Sequence, residues 1–147
     1  MTTIVYADFA CPTCYLASRR VDALRVAGVE VHWRAVEHRP ETPVAGARLD
    51  AARLDRFATN FAELTGMLLP GENLPWTMPR VIPKTEAAVS AYAEACGAGV
   101  AEDVRRLLFA MYWEEGADIG DPNVLRTPLA GPMLRGNATS DPLHESG

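Results

Sequence analysis

Cysteine and histidine are scarce in this chain of 147 residues, with three of each. Cys11 and Cys14 form a C-x-x-C, and Cys96, His32, His38 and His144 are the only other soft metal ligands. No second C-x-x-C and no C-x-x-H or H-x-x-x-H pair is present, so the second half that a structural zinc site needs is missing. An excess of basic charge is missing too: 14 Lys and Arg stand against 19 Asp and Glu, a net charge of −5. That balance leaves no electrostatic footprint for nucleic acid. No apolar run approaches the roughly 20 residues that cross a membrane. No internal repeat is apparent. Met1-Thr2-Thr3 runs straight into an apolar stretch, with no basic n-region or h-region of a leader, so a cytoplasmic location is expected. Thiols are kept reduced there, and a C-x-x-C is more often catalytic or redox-sensing than a structural staple.

What the chain does have is concentrated near its start. Ile4 to Phe9 is mostly apolar, β-branched and aromatic, as a buried strand should be. Cys11-Pro12-Thr13-Cys14 follows at once. Pro12 suits the first position of a helix, where no N–H partner is needed. Cys11 then falls at the helix N-terminus, among unpaired N–H groups that favour negative charge, and thiols so placed can drop from ~8.5 to roughly 3.5–7.5 in pKa. A redox dithiol is the leading reading, with half of a metal site or a purely structural pair as the others. Asp8, at the end of the strand, has two readings: a hydrogen-bond acceptor for turn amides, which is preferred, or a proton acceptor for the second thiol. His38 is placed beyond the second strand, on the same edge as the dithiol, with proton transfer as its minor reading.

Ala17, Val21 and Leu24 recur at helical spacing, with Ser18, Arg19, Asp22 and Arg25 left for water, and Gly28 closes the helix. Val29 to Val36 alternates as a second strand with Trp33 inward and His32 outward. Strand, helix and strand make a βαβ unit with parallel strands and a right-handed crossover. A loop over 37–46 precedes a helix whose apolar face is Leu54, Phe57, Phe61, Leu64 and Leu68. A long proline-bearing connection, 67–83, leads to a helix with Pro83 in its first turn and Ala87, Ala88, Ala91, Tyr92, Ala95 and Cys96 as its stripe. Cys96 is read there as a small core residue, with a regulatory thiol as the minority reading. Val100, Val104, Leu107, Leu108, Met111 and Tyr112 form the next stripe. Asp121-Pro122 starts a short helix to about Leu129. The length suits one globular core, organised as a βαβ unit over 1–40, a helical region over 41–130 and a poorly ordered tail over 131–147.

The run Asp8-Phe9-Ala10-Cys11-Pro12-Thr13-Cys14-Tyr15 resembles the D-F-x-C-P-x-C-Y pattern of the FrnE-like members of the DsbA-like, thioredoxin-fold oxidoreductases. Val31-His32-Trp33-Arg34 is similar to their second strand. Trp113-Glu114-Glu115-Gly116-Ala117-Asp118-Ile119-Gly120-Asp121 is similar to the segment that closes their inserted helical domain. The resemblance implies an α/β fold, a thioredoxin-like βαβ unit with a helical insertion domain. It implies Cys11 as the attacking thiol and Cys14 as the resolving one, with Pro12 and Thr13 tuning the pair. Family members continue with two antiparallel strands, a final helix and a loop whose cis-proline faces the dithiol. Only 22 residues follow Leu125 here and none alternates as a strand. The expectation is therefore the front part of the family fold, truncated before the cis-proline half, with an incomplete sheet.

The function expected is a thiol–disulfide oxidoreductase acting through a mixed disulfide on protein or small-molecule disulfides and thiols. It would need no cofactor, metal, nucleic acid or membrane, and the open sheet edges point to a homo-oligomer. The alternatives are a non-catalytic or partner-dependent remnant of the fold, and a glutathione-dependent isomerase-like protein. Members of that isomerase branch typically carry serine at the first active position, where this chain has Cys11.

Overall fold

Alternation in the first and third segments of the chain becomes a pair of parallel strands. Thr2–Ala7 (β1) and Glu30–Ala35 (β2) run side by side with Thr2 opposite Glu30 and Ala7 opposite Ala35. Pro12–Val26 (α1) is the crossover. These elements, and those below, come from a computed structural model that describes residues 2–139. On the inner face Val31, Trp33 and Ala7 are buried, and Phe9 just beyond β1 is fully so. Phe9 meets Phe109 with ring centroids 4.9 Å apart, and Trp33 meets the same ring edge-on at 5.7 Å. The outer face is open: Ile4 is 49% and Tyr6 65% exposed.

The rest of the chain is helical: Ala51–Gly66 (α2), Glu86–Ala98 (α3), Ala101–Trp113 (α4) and Pro122–Thr139 (α5). The described residues thus form a mixed α/β fold, a thioredoxin-like βαβ unit followed by a helical array, as expected. α1 packs against α2 and α4, and α3, α4 and α5 pack against one another. Trp113, at the end of α4, is the largest fully buried side chain, and its indole N–H donates to the Phe9 carbonyl over 2.9 Å. That bond fixes the helical array to the chain just before the dithiol.

Several sequence expectations change. Ser18, assigned to solvent, is buried, because the fully buried Arg105 of α4 donates to its carbonyl over 2.8 Å and to its hydroxyl. Leu24, assigned to the core, is 42% exposed. Cys96 is exposed rather than in the core, since α3 turns Ala88, Tyr92, Ala95 and Ala98 inward and leaves Cys96 one position off that stripe. Ala47–Arg48 (β3) and Val81–Ile82 (β4), read as loop and connection, pair antiparallel. Two residues per strand are too few to show alternation. The approach is close at Gly46, where a Cβ would stand 2.5 Å from Val81 Cγ2. Pro83 precedes α3, whose N-cap is Thr85.

The tail expected over 131–147 is helical as far as Thr139, and the remainder lies outside the described residues. The tail expectation rests on a Pro/Gly/Ser/Asn-rich composition without period from Gly131 on, and Pro128 and Pro132 lie inside the helix. Packing overrides them: Leu125, Leu129 and Met133 recur every fourth residue and join the core. Gly136 continues that face, where a Cβ would lie 2.6 Å from the Ala98 carbonyl oxygen. An N–H missing at each proline costs a helix less when a whole apolar stripe is buried.

Candidate active site

Cys11 is the N-cap of α1, with extended backbone (φ −100°, ψ 123°), and Pro12 begins the helix. The cap is made by sulfur: the Cys14 backbone N–H donates to Cys11 Sγ over 3.4 Å. The Thr13 N–H also stabilises the Cys11 thiolate, and so does the nearby His38. The largest influence is a hydrogen bond between the two thiol groups. It lowers Cys11, and against the opposing effect of burial the thiol is pulled from 9.0 down to about 6. The same bond, with burial and the adjoining negative charges of Cys11 and Asp8, pushes Cys14 far up. At neutral pH one member of the pair is a thiolate and the other a thiol. No disulfide joins them; both are free and half-buried.

Asp8 is buried, and its carboxylate accepts three hydrogen bonds. The Ala10 N–H donates over 3.0 Å, the His38 N–H over 2.8 Å and the Thr85 hydroxyl over 3.2 Å. One side chain thus ties the end of β1 to the turn before the dithiol, to the loop after β2 and to the start of α3. The turn amide Ala10 is a partner of the type the sequence suggests. Thr85 is a partner it does not suggest, being 77 residues away. His38 sits on the edge read from the sequence, with its side chain exposed at the site.

A cavity of about 310 Å³ opens beside the dithiol. Cys11 and Pro12, Phe57 of α2, and Ile82 and Pro83 are among the residues that line it. The peptide bonds of the described residues, including Ile82–Pro83, are all trans. Arg39, Arg53 and Arg56 also line the cavity, and sequence reading passed over all three. A signal existed for two of them: Arg53, Arg56, Phe57 and Asn60 follow i, i+3, i+4, i+7 spacing and so share a helix face. Nothing local says that this face looks onto Cys11. Among the described residues no group of three His, Cys, Asp or Glu is placed to hold a metal ion, and no helix is long and apolar enough to cross a membrane.

The arrangement has a polarised dithiol at the joint of strand and helix, a helical array pinned behind it and an open cavity in front. No curated protein matches the sequence. Among solved structures, selenomethionine 2-hydroxychromene-2-carboxylate isomerase is similar in fold, with a TM-score of 0.58 at 16% identity. The match covers 99% of this chain and 74% of that one. The sequence itself matches the DSBA-like thioredoxin domain over residues 2–130. That span runs from β1 through the dithiol and the helical array into α5, and by it the chain belongs to the family of DSBA-like thioredoxin domains.

Proposed function

We propose that this protein is a thiol–disulfide oxidoreductase. The observation that carries the reading is the asymmetry of the pair: a thiolate at the N-cap facing the cavity, with a protonated partner one turn into the helix. The Cys11 thiolate attacks one sulfur of a substrate disulfide. A Cys11–substrate S–S bond forms, the substrate S–S bond breaks, and the departing thiolate takes a proton from water. Cys14 then loses its proton and attacks Cys11 Sγ, releasing the second substrate thiol and leaving a Cys11–Cys14 disulfide. Two electrons pass from the dithiol to the substrate, and the reverse sequence oxidises a substrate dithiol. Before attack the Cys11 charge holds the Cys14 proton in place. Once Cys11 is bonded to substrate that charge is gone, and Asp8 is assigned as the acceptor of the Cys14 proton. Pro12 and Thr13 tune the pair, Pro12 by starting the helix and Thr13 through its N–H. The proposed setting is the cytoplasm, where the thiol pool keeps the dithiol reduced between turnovers.

The isomerase neighbour agrees with a second reading, a glutathione-dependent isomerase-like protein, in which glutathione supplies the thiol and no resolving thiol is needed. Substitution separates the two. For an oxidoreductase, Cys14→Ser traps a mixed disulfide that mass analysis under non-reducing conditions detects, and Cys11→Ser does not. Equal trapping by both variants overturns the assigned roles. A folded wild-type chain with no exchange on any disulfide overturns the oxidoreductase reading and favours a non-catalytic remnant.

A further inference from the structure

The charge of the cavity is opposite to the charge of the chain. The protein carries a net −5, yet Arg39, Arg53 and Arg56 line the cavity together with His38. Among the described residues Asp8 is the sole carboxylate of that lining, and it is buried and already accepts three hydrogen bonds. Elsewhere Arg19, Arg20, Arg25, Arg105 and Arg106 form ion pairs, while Arg34, Arg48, Arg80, Arg126 and Arg135 are without one among the described residues but do not line the cavity. Among the described residues, Arg39, Arg53 and Arg56 form none. Arg53 donates one bond, to the Arg48 carbonyl over 2.7 Å, and keeps its other donors. The Arg39 and Arg56 side chains are exposed and hold no partner among the described residues. Guanidinium groups left together without a counter-charge in a concave site form a receptor for carboxylate, because the planar fork matches its two oxygens. Phe57, Ile82 and Pro83 add apolar lining. The volume lies at the low end for a small-molecule site, which suits a short peptide-like or organic disulfide rather than a folded protein segment.

We infer that the cavity selects anionic substrates: disulfides bearing one or more carboxylates close to the sulfur that Cys11 attacks. The inference rests on the oxidoreductase reading for its reaction, in which bonds and electrons move as described above. Its recognition step stands apart from that reaction. The arginines hold the carboxylate, the disulfide is brought to Cys11, and the field of the site raises the local concentration of anions.

The test uses two reagents that deliver the same electrophilic carbon and differ in charge, iodoacetate and iodoacetamide. Cys11 of the reduced wild-type chain is alkylated with each at pH 7 and low salt. The rate ratio is read by peptide mass analysis and divided by the ratio for free cysteine. The thiolate fraction cancels in that quotient. The expected preference for iodoacetate is about tenfold, the low end of what a cleft lined by one sign of charge supplies. It falls toward one in the Arg39→Gln/Arg56→Gln variant and in high salt. A wild-type quotient near one, or an unchanged quotient in the variant, overturns the inference. A parallel measurement compares exchange on the disulfides of 3-mercaptopropionic acid and of its amide. Charge preference in alkylation with no exchange on either disulfide upholds the anion site and overturns the oxidoreductase reading. Exchange with no charge preference does the reverse.

Discussion

Cys11 should be recognisable by the shape of its reactivity with pH, more than by its speed. Its thiol is held at about 6 against an ordinary 9.0, three powers of ten in acidity. At pH 7 it is then about 90% thiolate where an ordinary thiol is about 1%, a gain of about 90-fold. A thiolate of lower basicity is a weaker nucleophile, and a Brønsted slope of about 0.4–0.5 takes back about 15–30-fold. The net advantage at pH 7 is only about three- to sixfold. At pH 5 the gain in thiolate fraction is about 900-fold and the net advantage about 30- to 60-fold. Above about pH 8 the order reverses and Cys11 becomes slower than free cysteine. The assay is iodoacetamide alkylation of the reduced chain from pH 4.5 to 10, with the Cys11 peptide quantified by mass and free cysteine as reference. A Cys11 midpoint above pH 8, or a curve parallel to that of free cysteine, refutes the N-cap argument. The sign for stability follows. A thiol depressed in the folded state contributes stability that is present above its unfolded value and lost as pH falls through about 6. The reduced chain should therefore gain stability over Cys11→Ala between pH 6 and 9.

Cys14→Ala removes the largest influence on Cys11, so the same alkylation midpoint should move upward from about 6; no movement would mean that the helix start alone sets it. Asp8→Ala leaves the Ala10 N–H, the His38 N–H and the Thr85 hydroxyl without their acceptor, and urea unfolding should show a loss of about 3 kcal/mol. Arg105→Met removes a buried guanidinium paired with Asp22 and Glu102. Those carboxylates are about a third exposed and can rehydrate, so the expected loss is about 2–3 kcal/mol, below that of a fully buried pair. The far edge of β2 is closed by side chains, with Tyr92 donating to the Trp33 carbonyl over 3.3 Å and Arg25 to the Val31 carbonyl over 2.6 Å. Among the described residues the far edge of β1 has no such closure, and Thr2–Ala7 carries no charge or proline. Sedimentation should show concentration-dependent self-association across the micromolar range, abolished by Ile4→Lys; a wild-type monomer at every concentration would refute edge pairing.

The βαβ unit, its dithiol and the family are legible in the sequence. Those features are local: alternation, helical period, a proline after Cys11 and a glycine at the end of α1 are each set by neighbours a few residues apart. So, for the same reason, are the apolar stripes of α2 and α4, and that of α3 apart from Cys96, which is exposed. Which polar residues are used is set by chain packing. Ser18 and Arg105 are 87 residues apart and meet because α4 lies on α1. Thr85 reaches Asp8 because α3 begins where β1 ends. α5 survives two prolines because its apolar face is buried on its neighbours. Arg39, Arg53 and Arg56 are dispersed charges in the sequence and come to line one cavity beside Cys11 through the placing of α2 and the loop after β2. Periodicity is set by neighbours a few residues apart and marks most core positions, whereas the meeting of charges depends on chain packing, which no short window of sequence contains.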